Sequence, residues 1–231
     1  MPKVTSLPEA FAEIVKMDTT LRQRLGAYAE KVRELNLPIA EAYDRLVERL
    51  QNAGVGTGAP EVGTTMPSFL LPDQNGKLVN LEQLLRNGPV VLSFNRGHWC
   101  PFCKLELRGL AEVQPKLSEH NAHVVSIMPE RQQYTSRLAQ DLDDKLNILS
   151  DIDNGYALSL GLLMWVGDEV AGLMRNRGID LREFQGNDGR LLPVPATFVL
   201  DHDGRIIARW VNPDFRTRME TDEILRALKL K

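Results

Sequence analysis

The chain has 231 residues, with 43% hydrophobic and 26% charged side chains, which are the proportions of a folded globular protein rather than of a disordered or membrane protein. Its formal net charge of -3 offers no broad basic surface, so we expect neither nucleic acid nor an anionic membrane as a partner. The most apolar stretch, residues 157–167, is too short to cross a bilayer, and the charged N-terminal segment does not resemble a secretion signal, so a cytoplasmic protein is expected.

The N-terminal part of the chain has the pattern of amphipathic helices. Residues 8–53 are predicted to be helical throughout, because apolar residues recur at intervals of three and four from Met17 onwards. Pro38 opens a second helix at a first-turn position that proline tolerates. Because helices of this kind pack on their own domain or on a second copy of the chain, we predict a homodimer.

A segment rich in glycine and proline, residues 52–67, interrupts the helical pattern and predicts a linker. After it, strands and helices alternate, which is typical of an α/β fold with a largely parallel sheet. We therefore predict a helical N-terminal extension over residues 1–59 and one α/β domain over residues 60–231. The predicted elements of that domain are a hairpin at 69–81, strands at 89–95, 122–128, 146–151, 196–200 and 205–211, and helices at 101–118, 130–144, 153–163, 168–177 and 219–230.

The two cysteines of the chain lie where a predicted strand leads into a predicted helix. If Cys100 is the N-cap, Pro101 occupies the first helical position and Cys103 the third, so the Cys100 sulfur faces unpaired backbone N–H groups and the positive end of the helix dipole. Such surroundings lower a cysteine pKa from about 8.5 to roughly 3.5–7.5. The spacing therefore predicts a reactive dithiol that can form a reversible disulfide.

Two less reactive interpretations remain open for this pair. The thiols could be buried structural residues at helical spacing, or they could bind zinc together with His98. The preceding strand and the intervening proline favour redox chemistry over a purely structural role. A zinc site requires a fourth ligand, and no second Cys or His pair lies nearby in sequence, so neither a metal nor a cofactor is predicted. His98 is interpreted as a polar loop residue.

At this point the chain shows a resemblance to known redox proteins. The motif "WCPFC", residues 99–103, resembles the redox motif of thioredoxin-fold oxidoreductases, in which an aromatic residue precedes the first cysteine. The later segment "VPATFVLDHDGRII" is similar to the thioredoxin-family segment in which a cis-proline opens the strand that faces the dithiol. The resemblance implies that Pro195 is that cis-proline, and that Trp99, Val194 and Pro195 contact the substrate.

The overall layout is closer to the peroxiredoxins of the alkyl hydroperoxide reductase and thiol-specific antioxidant class. Residues 66–85 are similar to their opening segment and residues 148–162 to their second half, and the similarity extends over residues 64–211. It implies a thioredoxin-like, peroxiredoxin-type α/β fold that carries a helical N-terminal extension. The N-terminal helices lie outside the resemblance.

The peroxiredoxin active-site motif is only partly present. Aligned with that motif, Cys103 takes the place of the peroxidatic cysteine and Glu106 that of the motif's glutamate, whereas Cys100 replaces the threonine. Arg96 stands where the motif has proline, and Pro195 stands where the family has an arginine at the start of a later strand. The family's threonine and arginine hold and polarise the peroxide, so their replacement weakens the indication of peroxide as the oxidant.

Two arginines can supply the missing positive charge. Arg96 and Arg108 both lie near the cysteines in sequence, and either can equally be a solvated surface residue. The predicted site therefore consists of the dithiol, Cys100 and Cys103, and a substrate-binding set. That set comprises Arg96, Trp99, Val194 and Pro195.

Two functions follow from these patterns. The first is reduction of hydroperoxides by the Cys100/Cys103 dithiol, which thioredoxin or a similar thiol then recycles. The second is a thioredoxin-like protein disulfide oxidoreductase with little peroxidase activity, in which Cys100 attacks and Cys103 resolves. Capping favours Cys100 as the attacking residue and the motif alignment favours Cys103, so both remain candidates. A redox-inert thioredoxin-fold adaptor is a third interpretation.

Overall fold

The computed structural model describes residues 5–230. Three helices come first, and they are followed by a mixed array of strands and helices that contains one central sheet. The helices are α1 Leu7–Ile14, α2 Leu21–Leu35, α3 Leu37–Asn52, α4 Leu81–Leu85, α5 Pro101–Ser118, α6 Gln132–Asp141, α7 Gly155–Ser159, α8 Gly167–Arg175, α9 Leu181–Gln185 and α10 Thr221–Ala227. The strands are β1 Leu70–Pro72, β2 Leu78–Asn80, β3 Val90–Phe94, β4 His123–Met128, β5 Asn147–Ser150, β6 Leu163–Trp165, β7 Leu191–Pro193, β8 Ala196–Leu200 and β9 Ile206–Val211.

The central sheet has the strand order β5-β4-β3-β8-β9 and confirms the predicted α/β fold. The expectation of a largely parallel sheet is wrong, however. Strands β3, β4 and β5 are parallel, whereas β8 pairs antiparallel with both β3 and β9. The tight turn through Asp201 and Gly204 joins β8 to β9 as a hairpin, so the second half of the sheet has to run antiparallel.

The N-terminal helices differ from the prediction of continuous helix over residues 8–53. The chain leaves the helix after Ile14 and begins a new one at Leu21. Thr20 caps this second helix, because its side chain accepts from the backbone N–H of Gln23 while the Gln23 side chain accepts from the backbone N–H of Thr20. The polar Asp-Thr-Thr sequence therefore ends one helix and starts the next. Within residues 5–230, no helix is long and apolar enough to span a bilayer.

The structure contains four short elements that the sequence pattern does not predict, namely strands β6 and β7 and helices α4 and α9. Strands β6 and β7 pair antiparallel over three residues each, which is too short for an alternating pattern to be visible in the sequence. The predicted helix at 153–163 consists of one 3-10 turn, Ile152–Asn154, and the five-residue helix α7. Helices α4 and α9 also span only five residues.

The implied cis peptide bond before Pro195 is wrong. All peptide bonds of the described residues are trans, and the bond between Val194 and Pro195 is among them. The Val194 N–H donates to the Leu162 carbonyl at 2.8 Å, which continues the β6–β7 pairing up to the start of β8. In this extended stretch the chain keeps the trans isomer, which X–Pro bonds prefer by about 0.5–1 kcal/mol.

The helices α1–α3 pack on the α/β domain rather than standing apart from it. One continuous apolar core contains buried residues of these helices together with Leu92 of β3, Phe102 of α5 and Phe198 of β8. Phe11, Tyr28 and Phe102 form a chain of edge-to-face aromatic contacts, with ring centroids 6.0 Å and 5.3 Å apart. This chain connects α1 and α2 directly to the first turn of α5.

Polar contacts hold the same helices in place at their edges. The Glu220 carboxylate accepts from the backbone N–H groups of Leu21 and Arg22 at 3.2 Å and 2.7 Å, so a residue near the C-terminus caps the start of α2. Arg216 donates to Asp44 of α3 at 2.6 Å. The segment before α10 therefore holds helices α2 and α3 in position.

We expect the N-terminal helices to unfold together with the α/β domain. Replacing buried Leu46 of α3 by alanine, Leu46→Ala, leaves a cavity in the shared core and should lower the free energy of unfolding by about 2–4 kcal/mol in one cooperative transition. Exposed Glu48 on the same helix provides the control, and Glu48→Ala should be nearly neutral. Urea unfolding followed by circular dichroism measures both. Two separate transitions would contradict the shared core.

Candidate active site

Cys100 lies at the point where the central strand β3 has ended and helix α5 begins. Its backbone is extended, with φ −83° and ψ 112°, and its sulfur accepts from the Cys103 N–H with an N–S distance of 3.3 Å. Pro101 occupies the first turn, where the absent N–H costs no helical hydrogen bond. The predicted capping arrangement is therefore present, and α5 has the predicted limits.

The two thiols are free, fully buried and adjacent. The Cys103 thiol donates to the Cys100 sulfur at an S–S distance of 2.8 Å, well beyond the roughly 2.05 Å of a disulfide bond. The backbone N–H of Cys103 also donates to the Cys100 sulfur, so Cys100 is the hydrogen-bond acceptor of this turn. The pair is placed to form a disulfide after a small movement, because both sulfurs already lie on the first turn of one helix.

A buried arginine completes the surroundings of Cys100. Arg96 is 1% exposed, and its Nη2 lies 3.1 Å from the Cys100 sulfur. Its guanidinium lies 3.8 Å from the centroid of the Phe215 ring and 5.4 Å from that of Trp99, distances typical of cation–π contacts. Within residues 5–230, Arg96 has no carboxylate partner, so the Cys100 sulfur is its anionic neighbour.

These contacts decide the protonation of the two sulfurs. Burial by itself would raise the pKa of Cys100, but the hydrogen bond from Cys103 and the charges of Arg96 and Arg218 outweigh burial and lower that pKa to about 5. Burial and the adjacent Cys100 anion raise the pKa of Cys103 well above its ordinary value. At neutral pH the site therefore holds one thiolate, at Cys100, and one thiol, at Cys103.

A second buried arginine lies beneath Cys103. Arg218 places Nη2 at 3.4 Å from the Cys103 sulfur and Nε at 2.5 Å from Oε2 of Glu106. The other Glu106 oxygen accepts from the hydroxyls of Ser93 and Thr197, each at 3.1 Å. Three donors and no acceptor surround this carboxyl group, which is the arrangement of an ionised carboxylate.

The buried charges of the site balance each other. Arg96 and Arg218 supply two positive charges, and the Cys100 thiolate and Glu106 supply two negative charges. Burial raises the pKa of Glu106, and the Arg218 guanidinium opposes that rise. Sequence reasoning aligned Glu106 with a family motif but missed Arg218, which is separated from Cys103 by more than a hundred residues and has no local signal.

Arg108, the alternative cation, does not reach the site. It is partly buried on α5 and makes no hydrogen bond or ion pair with either sulfur among the described residues. Val194 and Pro195 are buried where β7 leads into β8, and the Val194 N–H is occupied by Leu162. Trp99 is partly buried beside Arg96. Of the predicted substrate-binding set, Arg96 contacts the Cys100 sulfur and Trp99 contacts Arg96. Val194 and Pro195 precede Ala196, which pairs with Phe94 at the end of β3 where the loop to Cys100 begins.

His98 belongs to a separate cluster next to the site. Its Nδ1 lies 2.8 Å from Oε1 of the buried Glu130, and its ring stacks on Tyr134 at 4.9 Å. In residues 5–230, only Asp201, His202 and Asp203 bring three potential metal-binding atoms together, and they are largely exposed. Among the described residues, His98 and the two cysteines do not bring their ligand atoms together, and Nδ1 of the imidazole faces Glu130.

Gly97 explains how the loop before Cys100 can be so tight. It has a φ of 147°, and a Cβ at this position would lie 2.5 Å from the Trp99 indole nitrogen and 2.8 Å from Glu130. Only glycine fits both the backbone conformation and the space. Glu130 accepts from the backbone N–H of His98 at 2.7 Å, and this hydrogen bond holds the loop that carries Arg96 and Trp99 in place.

Comparisons with known proteins show which family and which fold the chain has. The model of the AhpC/TSA family matches residues 62–209 and leaves α1–α3 outside the match. Peroxiredoxin Bcp of Escherichia coli is 26% identical over 172 residues, covering 73% of this chain and 96% of its own. Thiol-disulfide oxidoreductase ResA of Bacillus anthracis is 22% identical over 160 residues, covering 69% and 75%. The crystal structure of peroxidoxin BcpB from Mycobacterium tuberculosis superposes with a TM-score of 0.57 at 25% identity, covering 73% and 96%.

Removing the charge next to Cys100 should reduce its reactivity. Arg96→Met removes one of the contacts that lower the Cys100 pKa, so the thiolate fraction at pH 7 should fall and alkylation by iodoacetamide should slow by about tenfold. In the wild type, alkylation should rise through pH 5 and then reach a plateau. Arg108→Met is the matched control and should leave the rate unchanged. Equal rates for both variants would refute the role of Arg96.

The Arg218–Glu106 pair should matter for stability in a pH-dependent way. Arg218→Met leaves Glu106 buried without its counterion and should lower the free energy of unfolding at pH 7 by about 3–5 kcal/mol. Because burial raises the Glu106 pKa, acidification neutralises this carboxyl group and the loss should shrink towards pH 5. Adding Glu106→Gln should restore much of the stability. Urea unfolding at pH 7 and pH 5 measures these free energies. A loss of stability in Arg218→Met that is the same at both pH values would contradict the ion-pair explanation.

Proposed function

Because the chain belongs to the AhpC/TSA family and is a thiol-dependent, peroxiredoxin-like oxidoreductase with a thioredoxin-like fold, we propose that it reduces hydroperoxides through Cys100 and Cys103. One observation carries this proposal above the others. The Cys100 sulfur lies 3.1 Å from the Arg96 guanidinium and has a pKa of about 5, so a nucleophilic thiolate and a cation meet at one point. A peroxide requires both, the thiolate to attack one oxygen and the cation to stabilise charge on the other.

The first step is attack of the Cys100 thiolate on the peroxide. A sulfur–oxygen bond forms, the O–O bond breaks, and Cys100 becomes a sulfenic acid. The departing alkoxide takes the proton of the Cys103 thiol, which lies 2.8 Å from the reacting sulfur. The product alcohol leaves, and Cys103 is left as a thiolate next to Arg218.

The second step closes the disulfide. The Cys103 thiolate attacks the sulfur of the Cys100 sulfenic acid, the sulfur–sulfur bond forms, and hydroxide departs. One peroxide thus oxidises two sulfurs and yields one alcohol and one hydroxide. A thioredoxin-like dithiol then reduces the disulfide by thiol exchange and returns Cys100 to the thiolate.

This assignment makes Cys100 the attacking residue and Cys103 the resolving one. Both the capping N–H of Cys103 and Arg96 act on Cys100, whereas burial and the Cys100 charge keep Cys103 protonated. The alignment that placed Cys103 at the peroxidatic position reflects sequence spacing alone. Glu106, which that alignment also singled out, serves Arg218 and so holds the charge beneath the resolving thiol.

Reduction of protein disulfides is the second candidate, supported by the "WCPFC" motif and by the similarity to ResA. In that mechanism Val194 and Pro195 would contact the backbone of the partner protein. Both residues are buried and the Val194 N–H is already bonded, so a protein chain has poor access to them. A small hydroperoxide does not need that surface, which favours the first candidate.

The proposed reductant indicates the cellular compartment of the reaction. Recycling by a thioredoxin-like protein requires a reducing compartment, and we place the enzyme in the cytoplasm. We also retain a homodimer as the working assembly, because large apolar side chains such as Leu158 and Trp165 remain exposed on one chain at 61% and 47%. Light scattering that finds a single 26.0 kDa particle in dilute buffer would contradict the dimer.

Mass spectrometry after one equivalent of hydrogen peroxide tests the proposed chemistry. The wild type should lose two hydrogens and give a peptide cross-linked between Cys100 and Cys103. Cys103→Ser should stop at the Cys100 sulfenic acid, which a dimedone probe captures, and Cys100→Ser should consume no peroxide. Insulin reduction, followed in parallel, measures the second candidate. Fast insulin reduction with slow disulfide formation by peroxide would replace the first function by the second.

A further inference from the structure

The buried guanidinium of Arg96 lies against an aromatic ring. Its carbon atom is 3.8 Å from the centroid of the Phe215 ring, well inside the roughly 6 Å limit of a cation–π contact. Within residues 5–230, the only hydrogen bond of the Arg96 side chain goes to the Cys100 sulfur, and Nε of Arg96 is buried without a partner. Because Phe215 is fully buried as well, the contact between cation and ring is stronger than it would be in water.

A ring and a carboxylate hold an arginine with different consequences for its charge. A carboxylate in contact with Arg96 would neutralise the guanidinium and reduce its effect on the sulfur, as Glu106 does for Arg218. The Phe215 ring has no net charge, so it can fix the position of the guanidinium while the full positive charge acts on the thiolate. The surroundings of Arg96 therefore suit the activation of a sulfur better than a structural ion pair does.

The ring of Phe215 is itself held from several sides. Its edge-to-face contacts reach Tyr43 of α3, with the ring centroids 5.0 Å apart, and Phe102 of α5, with the centroids 6.2 Å apart. The Phe215 carbonyl accepts from Nη1 of Arg218 at 2.7 Å, which fixes the backbone below the ring. Phe215 thus connects the buried arginine beneath Cys103 to the one beside Cys100.

The two rings come from parts of the chain that the AhpC/TSA family model does not match. That model covers residues 62–209, whereas Tyr43 belongs to α3 and Phe215 follows β9. An ion pair lies directly next to the ring pair, since Arg216 donates to Asp44 at 2.6 Å. Two consecutive residues of α3 therefore contact two consecutive residues of the segment after β9.

We propose that Phe215 is a positioning residue for the thiolate chemistry, because its ring holds the Arg96 guanidinium against the Cys100 sulfur and Tyr43 holds that ring in turn. Through this contact the N-terminal helices become part of the active site. The inference rests on the thiolate mechanism proposed above and adds two residues to it. Both residues act through Arg96, and neither is assigned a contact with the peroxide.

The pH profile of Cys100 alkylation by iodoacetamide, with the modified residue identified by mass spectrometry, reports the Cys100 pKa. Phe215→Leu should raise the midpoint from about 5 by about one pH unit, because leucine fills the apolar site but does not hold the guanidinium. Phe69→Leu is the matched control. It removes another buried ring of the same core, one that contacts Tyr156, and should leave the midpoint unchanged.

A double-mutant cycle shows whether Phe215 acts through the arginine. In the Arg96→Met background, Phe215→Leu should not raise the midpoint any further, because the group that the ring positions is absent. A further rise of the same size would mean that the ring affects the sulfur by another route, such as the exclusion of water. That result would overturn the positioning role.

Variants of Tyr43 test the contribution of α3. Burial raises the pKa of this phenol, and the charges of Arg96 and Cys100 also act on it, so the ring has to be separated from its hydroxyl group. Tyr43→Phe keeps the ring against Phe215 and should keep the wild-type midpoint, whereas Tyr43→Leu should raise it by about half a pH unit. Equal midpoints in these two variants would overturn the role of the α3 ring. Tyr43 is only partly buried, so this pair also tests the inference if Phe215→Leu does not fold.

The alkylation profile involves no oxidant, so it separates this inference from the proposed function. Reduction of hydrogen peroxide by the wild type, together with an unshifted midpoint in Phe215→Leu, would overturn the positioning role and leave the peroxidase intact. The predicted shifts in a protein that consumes no hydrogen peroxide would instead remove the proposed function. They would keep Phe215 as the residue that positions Arg96 next to a reactive thiolate.

Discussion

The contact between the Cys100 sulfur and the Arg96 guanidinium is the interaction on which the active site depends. Both groups are almost fully buried. Among the described residues, Arg96 has no carboxylate partner, and it is the arginine that donates a hydrogen bond to the Cys100 sulfur. A buried arginine without an anion is costly, and so is a buried thiolate without a cation, so each charge is stable only because the other is present. We expect oxidation of Cys100 to remove one of the two charges. The protein therefore stabilises the reduced form, which makes the disulfide easy to reduce again.

The second buried arginine, Arg218, has a different role from that of Arg96. Arg218 is paired with Glu106 and is therefore only a weaker neighbour for Cys103, at 3.4 Å. Burial and the Cys100 anion keep Cys103 a neutral proton donor, and Arg218 provides a positive charge nearby for the moment when Cys103 loses its proton. Burial raises the pKa of both sulfurs and the two arginines lower both. The sulfurs differ in pKa because the hydrogen bond from Cys103 stabilises an anion at Cys100, and that anion then disfavours a second charge at Cys103.

Local features of the site could be predicted from the sequence, whereas long-range ones could not. The strand before Cys100, the proline after it and the spacing of the thiols are local signals, and the cap and the limits of α5 follow from them. Arg218 approaches Cys103 through a turn near the C-terminus, and Glu130 reaches the His98 loop from the end of β4, so neither is marked by its neighbours in the chain. The prediction of a cis bond before Pro195 was wrong. It was taken from a family pattern, which does not show that the Val194 N–H is bonded to Leu162 in this chain. The strands β6 and β7 were too short to show a period.

The N-terminal helices connect this local chemistry to the rest of the molecule. The aromatic chain from Phe11 through Tyr28 to Phe102 reaches the turn that carries Cys100, so these helices form part of the wall around the site. The reactivity of the site depends on the ionisation of one sulfur, that of Cys100. Titration of the reduced protein labelled with ¹³C at the cysteine Cβ atoms, followed by NMR, measures it directly. Cys100 should titrate with a midpoint near pH 5 while Cys103 remains protonated beyond pH 9. Midpoints above about 8 for both residues, the range of ordinary thiols, would contradict it.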